Sequence, residues 1–173
     1  MAELTPQERL QPSLLDRLMD DEPEKNQESR DKRVLSLGKL REVVIRDLTW
    51  LLNAGNIAWT EDLEDYPLVA RSVLNFGLPE LSGSTASSVD VTRVENLLRQ
   101  AIWDFEPRIL RDTVKVRAVV SEDQMNQNTL TFDIEGELWA QPIPLRLFLK
   151  TQVDLESGHV TLGDQDRVGQ GTG

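Results

Sequence analysis

Few side chains in this sequence are grouped in a way that suggests chemistry, and the clearest group is the tripeptide Glu106-Pro107-Arg108. Positions i and i+2 of an extended segment face the same side, so the carboxylate and the guanidinium can pair or form a joint charged face. Glu106 ends a predicted helix, where the negative end of the dipole disfavours a carboxylate that has no cation nearby. The alternative interpretation is a helix stop with an incidental ion pair.

Asp104 and Glu106 are the nearest candidates for the pair of carboxylates that a glycosidase needs. That reaction needs one carboxyl kept protonated by an apolar pocket and a separation of roughly 5 to 9.5 Å. Arg108 instead favours an ionised Glu106, which is the wrong form for a general acid. The single histidine, His159, has no second histidine or cysteine with which to share a metal or a proton, so we interpret it as an exposed strand residue.

Motif and composition narrow the function classes further. The sequence contains neither a GxSxG motif nor a P-loop, and we predict no catalytic residue, no cofactor and no metal site. The chain has 173 residues, a formal net charge of −11 and no cysteine. Its acidity repels nucleic acid and anionic lipid, and no apolar run approaches the length needed to span a bilayer, so neither nucleic acid binding nor membrane insertion is expected. The N-terminus lacks the apolar core of a signal peptide, which favours the cytoplasm.

The N-terminal extension, residues 1–33, is polar apart from one short patch. Residues 12–19 predict a short docking helix with Pro12 near its start and with Leu14, Leu15 and Leu18 on one face. A helix of two turns is marginal when it stands alone. It either folds back onto the core of its own chain or docks on a partner.

Two long amphipathic helices follow the extension. The first is predicted from Ser36 to about Asn53, with an apolar stripe formed by Leu37, Leu40, Val44, Leu48 and Leu51. Residues 53–56 end it, because Gly and Asn suit a left-handed cap. The second is predicted from the N-cap residue Asp90 to Phe105, with the same spacing at Val91, Val94, Leu98, Ile102 and Phe105. In the connector between them, Ser72 to Phe76 could be a short strand.

The period of the apolar residues changes to two after Thr113, which predicts an antiparallel meander of three or four strands. Helices first and strands second indicate an α+β fold. We therefore expect two amphipathic helices packed on a small, mainly antiparallel sheet of three to five strands, with an N-terminal helical extension. A single domain should span residues 34–162, and residues 163–173 should form a disordered tail.

Four blocks of the sequence together resemble a known family. They are Ser13-Leu14-Leu15-Asp16-Arg17-Leu18, Arg46-Asp47-Leu48 with Leu51-Leu52-Asn53, Asn75-Phe76-Gly77-Leu78-Pro79, and Phe105-Glu106-Pro107-Arg108. In this order they are similar to TssE, a baseplate subunit of bacterial type VI secretion systems, and to the lysozyme-like wedge proteins of contractile phage tails. The first block favours TssE over a phage homologue.

The resemblance implies a structural wedge component rather than an enzyme. A TssE-like protein binds the TssF and TssG wedge, with TssK nearby, and templates polymerisation of the TssB/TssC sheath, in a cytoplasmic baseplate docked at the inner membrane complex. The hallmark motif of the family maps onto Glu106, Pro107 and Arg108. An unpaired sheet edge could accept a strand from a sheath subunit. A peptidoglycan glycosidase, suggested by the lysozyme label, and a regulatory adaptor with the same fold are the alternatives.

Overall fold

The computed structural model describes residues 13–18, 36–81, 89–119, 128–140 and 144–164. Much of the N-terminal extension and residues 165–173 of the expected tail lie outside these ranges. Within them the chain forms four α-helices, four strands and short 3-10 turns. In the described part of the chain, no helix is long and apolar enough to cross a membrane.

The first long helix has the expected start and end, but the backbone conformation of its C-cap differs from the prediction. Helix α1 is the short segment Leu14–Leu18, and α2 spans Leu37–Asn53. The Ser36 hydroxyl accepts a hydrogen bond from the Lys39 backbone N–H at 3.1 Å, as an N-cap does. The predicted left-handed cap after Asn53 is wrong, because Ala54 is extended (φ −89°, ψ 136°). The chain leaves α2 in this conformation to pair with a segment more than twenty residues further on.

That pairing closes a long excursion of the chain. Gly55 forms an isolated parallel bridge with Leu78, and the Leu78 N–H donates to the Ala54 carbonyl at 2.8 Å. Between these ends lie a 3-10 turn (Ile57–Trp59), helix α3 (Pro67–Ala70) and a second 3-10 turn (Val73–Asn75). The strand considered for residues 72–76 is therefore wrong, since this segment has no strand beside it and forms a helical turn instead.

The second long helix, α4, spans Val91–Phe105 and confirms the expected cap. The Asp90 carboxylate accepts from the Arg93 backbone N–H at 3.2 Å. Its buried side chains follow a helical stripe, namely Val94, Leu98, Ala101 and Ile102. Glu106 is the C-cap residue with φ −120° and ψ 76°, and the proline that follows prevents the helix from continuing.

Four antiparallel strands form one sheet in the order β1-β2-β3-β4. They are β1 (Lys115–Val119), β2 (Thr129–Leu138), β3 (Leu145–Asp154) and β4 (Val160–Asp164). The register sets Val116 opposite Ile134 and Ile134 opposite Leu149, so that apolar side chains share one buried face. Helices and sheet share a single core, which confirms the α+β prediction. Strand β4 continues to Asp164, two residues past the expected end of the domain.

The two long helices cover opposite halves of the sheet, because α2 contacts β4 and α4 contacts β1. Arg41 on α2 binds the Asp164 carboxylate through Nε at 2.9 Å and Nη2 at 2.6 Å. At the other end of α2, the Asn53 amide accepts from the Val160 N–H and donates to its carbonyl. On the β1 side, the Ala118 N–H donates to the Glu95 carboxylate at 2.7 Å. Side chains of the two long helices thus hydrogen-bond to the backbone of both edge strands, β4 and β1.

Candidate functional site

The carboxylate of Glu106 and the guanidinium of Arg108 form a closed pair at the end of α4. Arg108 donates to Glu106 Oε1 from its backbone N–H at 3.1 Å and from Nε at 2.7 Å, and its Nη2 reaches Oε2. Glu106 is only 3% exposed, whereas the side chain of Arg108 is 26% exposed. A carboxylate at the negative end of a helix dipole is therefore stabilised by the cation two residues further on.

The pair continues into α2 and α1 through three more charged side chains. Nη2 of Arg108 donates to Asp47 Oδ2 at 2.6 Å, and Arg46 donates to Asp47 Oδ1 from Nε at 2.9 Å and from Nη2 at 2.7 Å. Nη1 of Arg46 then donates to Asp16 Oδ1 at 2.6 Å. We call these five residues, Asp16, Arg46, Asp47, Glu106 and Arg108, the ionic chain. It connects three segments that are remote in sequence.

Electrostatics within the ionic chain favour the charged forms of Asp16 and Arg108. Burial opposes ionisation of Asp16, but hydrogen bonds from Arg46 and Ser13 outweigh burial and hold the pKa of this carboxyl below its usual value. Burial also opposes the charge of Arg108, yet Glu106 and Asp47 raise the pKa of this guanidinium above its usual value. Three carboxylates against two guanidinium groups leave the ionic chain with one excess negative charge.

Aromatic side chains flank the ionic chain at two points. The Arg46 guanidinium lies 4.8 Å from the centre of the Trp50 ring, a cation–π arrangement with an exposed indole. The Phe105 ring contacts Phe76 edge to face at 5.3 Å between centroids. Phe76 thereby connects the motif at residues 106–108 with the excursion between Gly55 and Leu78.

The family model of the baseplate wedge protein gp25 matches residues 38–143, which is more than half of the chain. This chain belongs to the gp25 family of baseplate wedge proteins. No curated protein and no solved structure matches it. A gp25-family protein is a structural component of a baseplate, and a structural role places it in contact with other baseplate subunits.

Of the residues predicted for interaction in this gp25-family protein, the structure pairs Glu106 with Arg108. Pro107 is exposed between Glu106 and Arg108. Leu15 and Leu18 lie on α1 and are 44% and 73% exposed, so they do not pack into the core. Leu14 belongs to α1, but its side chain lies outside the described part of the structure. A role for these three leucines in docking stays a prediction.

Sequence reasoning missed Asp16, Arg46 and Asp47 as partners of the Glu-Pro-Arg motif. Each stands in one of the blocks that resemble TssE, which was the available signal. The contacts themselves join residues 30 and 61 positions apart, and no local pattern reveals such pairs. Asp16 anchors α1 to α2 through Arg46, and Ser13 and Asp16 form a small cap at the start of α1.

The contacts of Glu106 in this gp25-family protein are those of a hydrogen-bond acceptor. A general acid must donate a proton, whereas both oxygens of Glu106 accept hydrogen bonds from Arg108. Asp104 accepts from the Gln100 amide at 2.8 Å. His159 lines an open cleft of about 260 Å³ together with residues 52–55, 78–81 and 157–158. Among the described residues there is no group of three or more acidic or histidine side chains that could hold a metal ion.

Proposed function

We propose that this protein is the TssE-like subunit of a type VI secretion baseplate, a structural wedge component without catalytic activity. It acts in the cytoplasm, in a baseplate docked at the inner membrane complex, where it binds TssF and TssG with TssK nearby. Membership of the gp25 family supports the baseplate role. The N-terminal block at residues 13–18, which resembles TssE, supports the type VI assignment.

The single observation that supports an interaction role at the motif is that Glu106 is fully used inside the chain, whereas Arg108 keeps free donors near the surface. Glu106 is buried, and both its oxygens are used within the chain. Arg108 uses its backbone N–H, Nε and Nη2 for Glu106 and Asp47, and among the described residues no acceptor is bound to Nη1. A guanidinium held in one orientation with two N–H donors left over can bind a carboxylate or carbonyl of a wedge subunit. Glu106 and Asp47 then act as positioning residues.

The proposed template for the TssB/TssC sheath is the edge of the β-sheet. Strands β1 and β4 are the two edges, and main-chain hydrogen bonding to an added strand would extend the sheet. The side chains of Glu95 and Asn53 each form a hydrogen bond with a backbone N–H of one of these edges. In our proposal a sheath strand pairs with the remainder of one edge or displaces one of these side chains.

The test removes the charges of the motif without leaving one of them buried alone. In cells that express the baseplate genes, the double substitution Glu106→Gln with Arg108→Gln is compared with Arg111→Gln, an exposed arginine in the same segment. We expect the double variant to stay folded and to lose co-purification of TssF and TssG and assembly of the sheath. The control keeps both. A folded double variant that retains wedge binding and sheath assembly would falsify the role of the motif.

A further inference from the structure

The excursion between Gly55 and Leu78 exposes apolar side chains to an unusual degree. Residues 57–76, which we call the platform, contain no buried residue. Of the twelve large apolar side chains that are exposed within the described ranges, seven belong to it: Ile57, Trp59, Tyr66, Leu68, Val73, Leu74 and Phe76. Leu68 is 87% exposed. Apolar surface concentrated in this way is typical of a site that another molecule covers.

The platform has a defined shape although it has no core of its own. The Asn75 side chain accepts from the Ala58 N–H at 3.0 Å and donates to the Ala70 carbonyl at 2.9 Å, so it ties the first 3-10 turn to α3. Ser72 accepts from the Leu74 N–H and donates to the Val69 carbonyl. These hydrogen bonds set the exposed side chains in place and use backbone groups internally. An added strand would find few free groups, which favours recognition through side chains.

Charge identifies the class of partner. The platform carries four exposed carboxylates, on Glu61, Asp62, Glu64 and Asp65, against one guanidinium on Arg71. An acidic run beside exposed apolar side chains complements a partner with an apolar stripe and flanking lysine or arginine. The same acidic run, on a chain with a net charge of −11, repels an anionic membrane and a second copy of the chain.

We propose that the platform is a docking surface for a basic amphipathic α-helix of a partner protein. Such a helix would lay its apolar face on Leu68, Leu74 and Trp59 and place its cations against the carboxylates between Trp59 and Tyr66. The platform adjoins the motif through the contact of Phe76 with Phe105. The proposal rests on the proposed function, because it names the chemistry of a baseplate partner at a second surface.

The binding experiment uses the full chain and synthetic peptides of about 18 residues, which is five turns of helix. One peptide is a leucine and lysine amphipathic helix, the second replaces each lysine with glutamate, and the third shuffles the order of the first. Calorimetry at roughly physiological salt should show saturable one-to-one binding of the first peptide, at least about ten-fold tighter than that of the other two. Equal affinity for all three peptides would overturn the proposal.

Substitutions then locate the binding. Leu68→Ser with Leu74→Ser should weaken the leucine and lysine peptide by about ten-fold or more, because each leucine contributes apolar area to the interface. The matched control is Leu37→Ser, an exposed leucine on α2 outside the platform. Glu61→Lys with Glu64→Lys should reverse the preference toward the glutamate peptide, while Glu156→Lys, on an exposed turn elsewhere, should not. Unchanged binding in the platform variants would overturn the proposal, as would a wild-type chain that self-associates or binds anionic vesicles through Leu68.

Co-purification separates this proposal from the proposed function. If the wild-type protein co-purifies with TssF and TssG and Leu68→Ser with Leu74→Ser does so equally well, the platform proposal fails and the baseplate role stands. If the wild-type protein does not co-purify with them, the proposed function fails. Loss of co-purification in the platform variant alone supports both.

Discussion

Arg108 donates three hydrogen bonds to the carboxylate of Glu106, a residue only two positions earlier and 3% exposed. One end of this ion pair is therefore desolvated, while the other reaches the surface. Such a pair contributes little net stability when it is intact, but a buried charge that loses its partner is costly. The motif thus couples the stability of the fold to the orientation of an accessible cation.

Removing the cation alone should destabilise the protein strongly. We expect Arg108→Met to lower the free energy of unfolding by about 3 to 5 kcal/mol, because Glu106 stays buried without a counter-charge. The double variant Glu106→Met with Arg108→Met should lose much less than this. Urea denaturation measures both, with Arg111→Met as a control expected within about 0.5 kcal/mol of the wild type. A single variant as stable as the double variant would contradict this account.

Acid should release α1 from α2. The pKa of Asp16 is lower in the folded chain than its ordinary value of about 3.9, so the ionised carboxylate stabilises the docked segment fully above that pH. This stabilisation is lost as the pH falls through the lowered pKa. An NMR titration of the Asp16 carboxyl carbon should give a midpoint below 3.9 in the wild type and one near the ordinary value in Arg46→Gln. Identical midpoints in the two proteins would show that Arg46 does not hold Asp16.

Position 77, which directly follows the platform, should tolerate only glycine. Gly77 has a φ of +116°, and a Cβ there would lie 2.2 Å from the Ala54 carbonyl oxygen. We expect Gly77→Ala to cost about 1 to 3 kcal/mol or more. The matched control is Gly55→Ala on the other side of the bridge, where a Cβ meets nothing within 4 Å. Thermal unfolding compares the two, and a loss of equal size in both would refute the steric explanation.

Asn53 should protect the edge of β4. Its amide accepts from the Val160 N–H at 2.9 Å and donates to the Val160 carbonyl at 2.8 Å. In Asn53→Ala both groups lose their partner, which should cost about 1 to 2 kcal/mol and speed hydrogen exchange at the Val160 amide. Asn53→Asp keeps an acceptor for that N–H and should preserve most of the protection. Unchanged exchange in Asn53→Ala would show that Asn53 does not guard this edge.

The sequence was a good guide wherever a local pattern determines structure. Periods of 3.6 and two predicted both long helices and the antiparallel sheet, and Asp90 was recognisable as a cap. The sequence was a poor guide where contacts with a distant segment determine the backbone conformation. The extended backbone of Ala54, for example, follows from its pairing with Leu78. Residues 72–76 are apolar enough for a strand, but the Asn75 side chain fixes a turn there.

The candidate site shows the same division. Pairing of Glu106 with Arg108 was predictable because only one residue separates them in the sequence. Their connection to Asp47, and from there to Arg46 and Asp16, depends on how α1, α2 and α4 are packed. The burial of Glu106 depends on that packing as well. This burial distinguishes the observed pair, in which Arg108 is fixed in one orientation, from an incidental ion pair at the surface.

The side chains of Asn53 and Glu95 at the two sheet edges have a consequence for the behaviour of the protein before assembly. Open strand edges recruit one another, and copies that meet by chance can join irreversibly. A joining strand that covers Val160 or Ala118 has to break the hydrogen bond to the side chain there before it gains one, which raises a barrier to accidental pairing at these two positions. Under the proposed templating role, this barrier would keep free copies apart until a partner supplies enough contact energy to cross it.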